Sequence, residues 1–317
     1  MASFKINSKK PYELKSEFIN FPVAFVNGLR RTCISQIPCV VLRNVEILKN
    51  TTQMPHEMLK HRIELLPVDL EPDNTEIIKN SKIELECTPI PDKDRELTTD
   101  DFKIDNGPKG LLMKDRDLKT PLLFLRVKKT EEVHVRASLA VENYSQLCGF
   151  TYKFHIDEER SKVDREKYIQ NGGDERVDNN FYIQKSYSVD ETKRPNHIEF
   201  GFESVGVLTC STILKMAIKI MQKQIVEWVD EALKNIKRSE DEYSVSLNTN
   251  SDLTTIGSIL QVIIYDSQTT GFISYDLGHP LKPNLKLRFS TDSNPEDILK
   301  NAVKIFKEFC EIVEKEL

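Results

Sequence analysis

The sequence predicts an α+β protein in which one strand-and-helix unit occurs twice, the first copy interrupted by a β-rich insertion. Three observations carry this reading. Extended runs feed a helix with a glycine inside it in both copies, Gly28 in VNGLRRTCIS and Gly257 in TTIGSILQ. Each copy then closes on a long amphipathic helix. Between the halves of the first copy, loops such as PDKDRE, NGPKG and NGGDER punctuate strand-like stretches, the pattern of an inserted β-rich domain with exposed loops. The implied boundaries are 1–39 with 190–240 for the first copy, 40–189 for the insertion and 241–317 for the second copy.

In order along the chain, SFKINSKKPYELKSEF alternates at Phe4 and Ile6 and again at Tyr12 and Leu14, with Lys9, Lys10 and Pro11 between: a hairpin. Asn20 is the expected cap of the following helix, with Pro22 in its first turn. Val26, Leu29, Cys33 and Ile37 fall on one helical stripe. Pro38, which lacks an N–H and clashes with the preceding turn, is expected to end it. CVVLRNVEIL reads as a strand, KNTTQ as a turn, and PHEMLKHRIELL as a short helix closed by Pro67. KIELEC, LLFLRVKK, VHVRASLAV and GFTYKFHI are the strands of the insertion. HIEFGFES returns to the first unit and leads into CSTILKMAIKIMQKQIVEWVDEALKNIK, whose Leu214, Ile218, Met221 and Ile225 share a face. KRSEDEY reads as a polar linker. The last segment is a β-α-β-β-α unit: YSVSLN, TTIGSILQVIIYD, GFISYD, NLKLRFST and a final helix. Asn294 caps that helix, Pro295 opens it, and Glu296 and Asp297 face its positive end.

Composition narrows the chemistry. Across 317 residues, 50 acidic side chains outnumber 45 basic ones, which argues against unaided nucleic-acid binding, a task of Lys and Arg neutralising phosphates. No run approaches the ~18 apolar residues of a membrane span, and MASFKINSKK has no apolar core of a secretory signal, so an intracellular protein is expected. Six cysteines are scattered without a C-x-x-C pair and read as free thiols. PHEMLKH resembles a zinc-protease helix only superficially: His56 and His61 are five residues apart, about 140° around a helix, whereas a shared ion needs a spacing of four. Neither phosphate-binding glycine motif nor a G-x-S-x-G elbow occurs. Cys148 with His134 or His155 forms no recognisable nucleophile pair. No catalytic residue, cofactor or metal is therefore expected in this chain.

The helix carrying Gly28 also carries the doublet Arg30–Arg31 just off its apolar stripe. A mid-helix glycine costs ~1 kcal/mol relative to alanine and is best tolerated where another backbone or helix approaches closely. The stripe, the glycine and the guanidinium edge together suggest a helix serving two contacts.

The run VNGLRRTCISQIPCVVLRNVEILKNTTQMPHEMLKHRIELLPV resembles the signature of the alpha-like subunits of multisubunit RNA polymerases: bacterial alpha, archaeal D and the third subunit of RNA polymerase II. The matching features are N-x-L-R-R at Asn27–Arg31, Ile37-Pro38, N-T-T at Asn50 and H-R-I-x-L-L-P at His61–Pro67; E-S-x-G at Glu203–Gly206 follows before the long helix. The last unit resembles the small partner, archaeal L or the eleventh subunit of RNA polymerase II. It matches at T-I-G (Thr255–Gly257), Y-x-x-x-H-P (Tyr275–Pro280), LKLRFST and P-E-D-I-L-K-N-A (Pro295–Ala302). Three departures stand out. Thr254-Thr255-Ile256-Gly257-Ser258 replaces the usual H-T-L-G-N, Glu64 stands where glycine is usual, and the clustered cysteines of many D-type insertions are missing.

The resemblance implies two alpha-subunit-type dimerisation domains paired within one chain, acting as a non-catalytic platform for assembly. A fusion of this kind points to a large nucleocytoplasmic DNA virus, with an unusual cellular gene fusion as the alternative. A viral protein would work in the host cytoplasm or nucleus and could be packaged in the virion. The implied internal interface comprises Val26, Leu29, Cys33, Leu214, Ile218, Met221, Ile225, Ile256, Gly257, Phe306 and Phe309. Arg30, Arg31, His61 and Arg62 would face the two large catalytic subunits, which hold the magnesium-binding aspartates. A small subunit resembling the tenth or twelfth of RNA polymerase II completes the expected partners of a hetero-oligomer that has no direct contact with nucleic acid or membrane. The alternative from a different class is a free-standing enzyme or regulator reusing the fold.

Overall fold

A computed structural model describes residues 2–89, 93–143, 147–177, 185–239, 242–247, 253–267, 269–279 and 282–317. In chain order the elements are β1 (Ser3–Lys9), β2 (Glu13–Ile19), α1 (Val23–Ser35), β3 (Pro38–Asn50), α2 (His56–Glu64), α3 (Thr75–Asn80), β4 (Lys82–Cys87), β5 (Arg95–Thr98), β6 (Lys103–Asp105), β7 (Leu123–Val127), β8 (Val133–Asn143), β9 (Cys148–Phe154), α4 (Glu158–Gln170), β10 (His197–Ser204), α5 (Cys210–Ala232), β11 (Lys237–Ser239), β12 (Glu242–Leu247), α6 (Leu253–Asp266), β13 (Phe272–His279), β14 (Lys282–Ser290) and α7 (Pro295–Glu316). They form two compact units: Met1–Cys33 with Phe150–Glu203 and Cys210–Leu317, and Ile34–Gly149 with Ser204–Thr209.

The first unit holds two four-stranded sheets, ordered β1-β2-β10-β9 and β11-β12-β14-β13. In the first sheet the period-2 alternation puts Phe4, Leu14, Phe18, Ile198, Phe200 and Phe202 on its buried face. Phe18 centres that face, its ring 4.7 Å from Phe4 and 5.0 Å from Phe200. In the second sheet Val245, Leu247, Ile273, Leu285, Leu287 and Phe289 are buried in the same way. Helices α5 and α6 both pack against α7, and α7 also reaches β1. The start of α7 is as its sequence predicts: Asn294 Oδ1 accepts from the Glu296 amide at 3.2 Å, with Pro295 in the first turn.

The second unit is built on the sheet β3-β8-β4-β6 and the ribbon β5-β7. The thirteen-residue β3 follows β8 through two register shifts, with Asn44 at φ 52° in the first. Leu59 and Ile63 of α2 and Ile78 of α3 close the core over Leu42, Leu85, Phe124 and Val135. The S-x-G end of the E-S-x-G motif, Ser204–Gly206, lies in this unit. Gly206 adopts φ +123°, a conformation suited to glycine, and its amide donates to Ser204 Oγ at 3.2 Å. Arg116 Nη1 donates to the Ser204 carbonyl.

Several expectations change. Asn20 is not the cap of α1: it sits at φ 57° with its amide on the Asn196 carbonyl, and the first turn instead closes on the Pro22 carbonyl. Helix α1 ends at Ser35, and Pro38 opens β3 rather than terminating the helix. GFTYKFHI, assigned to the insertion 40–189, contributes β9 to the sheet of β1, β2 and β10, because Phe150 completes that sheet's aromatic face at 4.1 Å from Phe200. The start of KRSEDEY is strand β11, paired with β12. Pro91, Asp92, Pro280 and the boundary at residues 240 and 241 lie outside the described residues.

Candidate assembly surfaces

Inside the first unit, α1 lies against α6 and α7. Val26, Leu29 and Cys33 are fully buried, as are Leu214, Ile218 and Phe306, with Met221, Ile225 and Ile256 nearly so. The need for glycine at position 28 is steric. A Cβ there would stand 2.9 Å from Ile259 Cδ1, 2.9 Å from Thr255 Cγ2 and 3.3 Å from Met221 Cε. Beside this close approach runs a ladder of rings. Phe25 lies 5.8 Å from both Phe306 and Phe309, and Phe21 lies 5.2 Å from Phe309.

Gly257 differs from its expected place at this interface. Its absent side chain makes room for Tyr275 Cδ2 and Leu285 Cδ1, which a Cβ would meet at 2.6 and 2.8 Å. It seats α6 on its own sheet. Sequence reasoning missed Phe21, Phe25, Thr255 and Ile259. Phe25 was within reach, since it precedes Leu29 by one turn.

The arginine doublet also divides. Arg30 Nε donates to Asn27 Oδ1, one turn back on the same helix, at 3.1 Å. Arg31 Nε instead crosses to Thr255 Oγ1 on α6 at 3.1 Å, and Arg31 is half-buried. Of the two arginines expected to face the large subunits, Arg31 therefore also makes a bond inside the fold. Arg31→Ala is expected to lower the unfolding free energy by about 1 kcal/mol, the net contribution of one hydrogen bond. A double-mutant cycle with Thr255→Val should show coupling. Strictly additive effects would mean that the bridge contributes nothing.

In the second unit, α2 turns Leu59 and Ile63 inward and presents Met58, His61, Arg62 and Leu65 outward. These residues fall at i, i+3, i+4 and i+7, a single stripe. Met58 and Leu65 are large apolar residues left 57% and 43% exposed. Arg62 Nε donates to the Phe124 carbonyl at 3.1 Å, which fixes the guanidinium's direction. Glu64, the residue in the usual glycine position, lies 3.9 Å from both Arg43 and Lys60, and Arg43 also binds Glu142 at 2.7 Å. The N-T-T turn before α2 is built by Asn50: its Oδ1 accepts from the Thr52 amide and hydroxyl, and its Nδ2 donates to Met54.

The thiols and the His134 imidazole are buried or paired. All six cysteines are buried thiols. Burial pushes Cys310 up to about 12 and raises Cys87, the opposite of an activated nucleophile. His134 lies 2.6 Å from Glu84. Among the described residues no group of three or more His, Cys, Asp or Glu is placed to hold a metal ion, and no helix is long and apolar enough to cross a membrane.

His155 and His197 stack with ring centroids 4.1 Å apart on the polar face of the first sheet. Glu199 lies 2.7 Å from His155, and Glu17 lies 3.0 Å from His197. The Asn7 hydrogen bond, then His197, holds Glu17 below its ordinary value of 4.5. Lys153, then His155, does the same for Glu199. A carboxylate whose folded value is depressed stabilises the fold above its unfolded value and loses that contribution as pH falls. Stability should therefore fall more steeply below about pH 4.5 in the parent than in Glu17→Gln/Glu199→Gln. Parallel denaturation profiles would contradict this.

Comparison with known proteins locates these features. A family model described as the RNA polymerase Rpb3/Rpb11 dimerisation domain matches residues 15–225, and a second of the same description matches 244–316. The chain is similar to the Rpo3 subunit of DNA-directed RNA polymerase from Methanosphaera stadtmanae, 26% identical over 165 residues, 46% of this chain and 60% of that protein. It is 31% identical over 107 residues to Rpo3 of Methanocaldococcus jannaschii, 32% of this chain and 52% of that one. It is 38% identical over 72 residues to the rpac1 subunit of RNA polymerases I and III from Dictyostelium discoideum, covering 22% and 21%. The alignments thus span between about a fifth and three fifths of these relatives' lengths.

Proposed function

Because the chain belongs to the RNA polymerase Rpb3/Rpb11 dimerisation domain family, we propose that it is a non-catalytic assembly-platform subunit of a multisubunit DNA-directed RNA polymerase. Its two dimerisation domains pair within the one polypeptide and dock the two large catalytic subunits. Magnesium chemistry would belong to those subunits, and a small subunit akin to the tenth or twelfth of RNA polymerase II is the further partner. The carrying observation is the contact set between the two matched segments. Gly28, Phe25 and Arg31 fall within 15–225, and the residues they meet, Ile259, Phe306 and Thr255, fall within 244–316. Segments that can bury their apolar faces on each other need no second copy to do so. We read the union of the two matches as a fusion, of the kind carried by a large DNA virus.

Two measurements test this. Sedimentation of the purified chain should give a monomer, and a stable homodimer would contradict internal pairing. A native pull-down analysed by mass spectrometry should recover two very large polypeptides. Recovery of neither would favour an independent role.

A further inference from the structure

At the edge of the ring ladder the first unit contains a cleft of about 570 Å³ to which the assembly reading gives no occupant. Its volume falls in the range of ligand sites, roughly 300–1,000 Å³. The floor is apolar: Phe21, Val262, Ile273 and Phe309. Phe309 differs from its neighbours in the ring ladder. Phe21, Phe25 and Phe306 are buried, whereas Phe309 is half-buried and lines this cleft. Tyr265, at the rim, is 52% exposed. The floor is therefore an apolar surface that the chain leaves partly open.

The rim is charged and unbalanced. Asp190, Asp266 and Arg194 line it. Arg194 Nη1 lies 2.6 Å from Asp266 Oδ1, and its guanidinium stands 5.3 Å over the Tyr265 ring. Asp190 Oδ1 accepts from the Thr192 amide and hydroxyl and from the Arg194 amide, at 2.7 to 2.9 Å. Its carboxyl is held below the ordinary range, first by the Thr192 hydroxyl. Asp266 thus pairs with the guanidinium while Asp190 is held by hydroxyl and amide donors, so the rim carries two carboxylates and one cation above an apolar floor.

We propose that this cleft docks an extended segment of a partner protein carrying an aromatic or aliphatic anchor beside a lysine or arginine. The anchor fills the space over Phe21, Val262, Ile273 and Phe309, and the cation completes the charge of Asp190 and Asp266. The excess negative charge at the rim disfavours an acidic segment, since like charges brought together at an interface cost affinity. The inference rests on the cleft alone and stands whether or not the chain assembles with large subunits.

The test is selection of short random peptides displayed on phage against the purified chain and two variants. Val262→Asp charges the floor at a half-buried position, and Asp266→Lys reverses the rim at an exposed one. On the parent, recovered peptides should pair an apolar anchor with a neighbouring Lys or Arg. Val262→Asp should reduce recovery by about tenfold or more, as removal of a pocketed anchor does. Asp266→Lys should exchange the basic preference for an acidic one. Thermal melts accompany each variant, and Asp266→Lys alone decides the matter if Val262→Asp melts early. No enrichment on the parent, an acidic preference there, or the same peptides on parent and Asp266→Lys would overturn the proposal.

Discussion

Phe306→Ala is expected to cost about 3–5 kcal/mol of stability, the range for a fully buried phenylalanine truncated to alanine. Phe306 has no exposed surface, and its ring stands 5.8 Å from Phe25, which is equally buried. The surroundings cannot collapse readily into the gap. On one side lies the helix holding Gly28 in close contact with Ile259 and Thr255, and on the other Leu299, Ala302 and Cys310 are already packed on the same helix face as Phe306. The loss should appear as one cooperative shift in denaturant midpoint, because α1 and α7 belong to one compact unit. Phe25→Leu combined with Phe306→Leu should show coupling, since residues in contact do not behave additively. A change below about 1 kcal/mol for Phe306→Ala, typical of a surface site, would mean that α7 does not pack on α1 in solution.

What the sequence makes legible follows from which signals are local. The stripe of α1, the amphipathic face of α5 and the cap of α7 depend on helical spacing or on three consecutive residues, so Val26, Leu29, Leu214, Ile218 and Asn294 could be read directly. Gly28 was legible as a close approach because a mid-helix glycine carries a cost that needs a reason. The partner it approaches was not legible: Gly28 meets Thr255 and Ile259, more than two hundred residues away, while Gly257 in a similar helical setting stands nearest to Tyr275 and Leu285 of its own sheet. Spacing cannot separate these two cases. Strand β9 was misassigned for a related reason. Its alternation is visible, but sheet membership is set by Phe150 against Phe200, a contact between residues fifty positions apart. The doublet divides because neighbours on a helix point about 100° apart, enough for Arg31 to reach Thr255 while Arg30 stays on its own helix.

The outward stripe of α2 should be a docking surface for a large subunit, and its charge reversal should separate assembly from folding. In His61→Glu/Arg62→Glu the melting temperature is expected to stay near that of the parent. Both residues are exposed, and substitutions at such sites usually change stability by no more than about 0.5 kcal/mol. Loss of the single bond from Arg62 Nε to the Phe124 carbonyl adds about 1 kcal/mol at most. Assembly should respond far more. Arginine beside apolar neighbours is the composition of an interface anchor, and truncating such an anchor costs ~2 kcal/mol or more, about 30-fold in affinity. Met58 and Leu65 bracket the basic pair and supply the apolar part, so Met58→Ser/Leu65→Ser should weaken recovery of the same subunit without the salt dependence expected of the charged pair. Arg30→Ala forms an independent arm, since among the described residues Arg30 bonds Asn27 on its own helix and no other element. Normal recovery of large subunits by the His61/Arg62 variant would leave the stripe a solvated helix face. A steep fall in its melting temperature would instead assign Arg62 to the core around Phe124, where its guanidinium already holds one carbonyl.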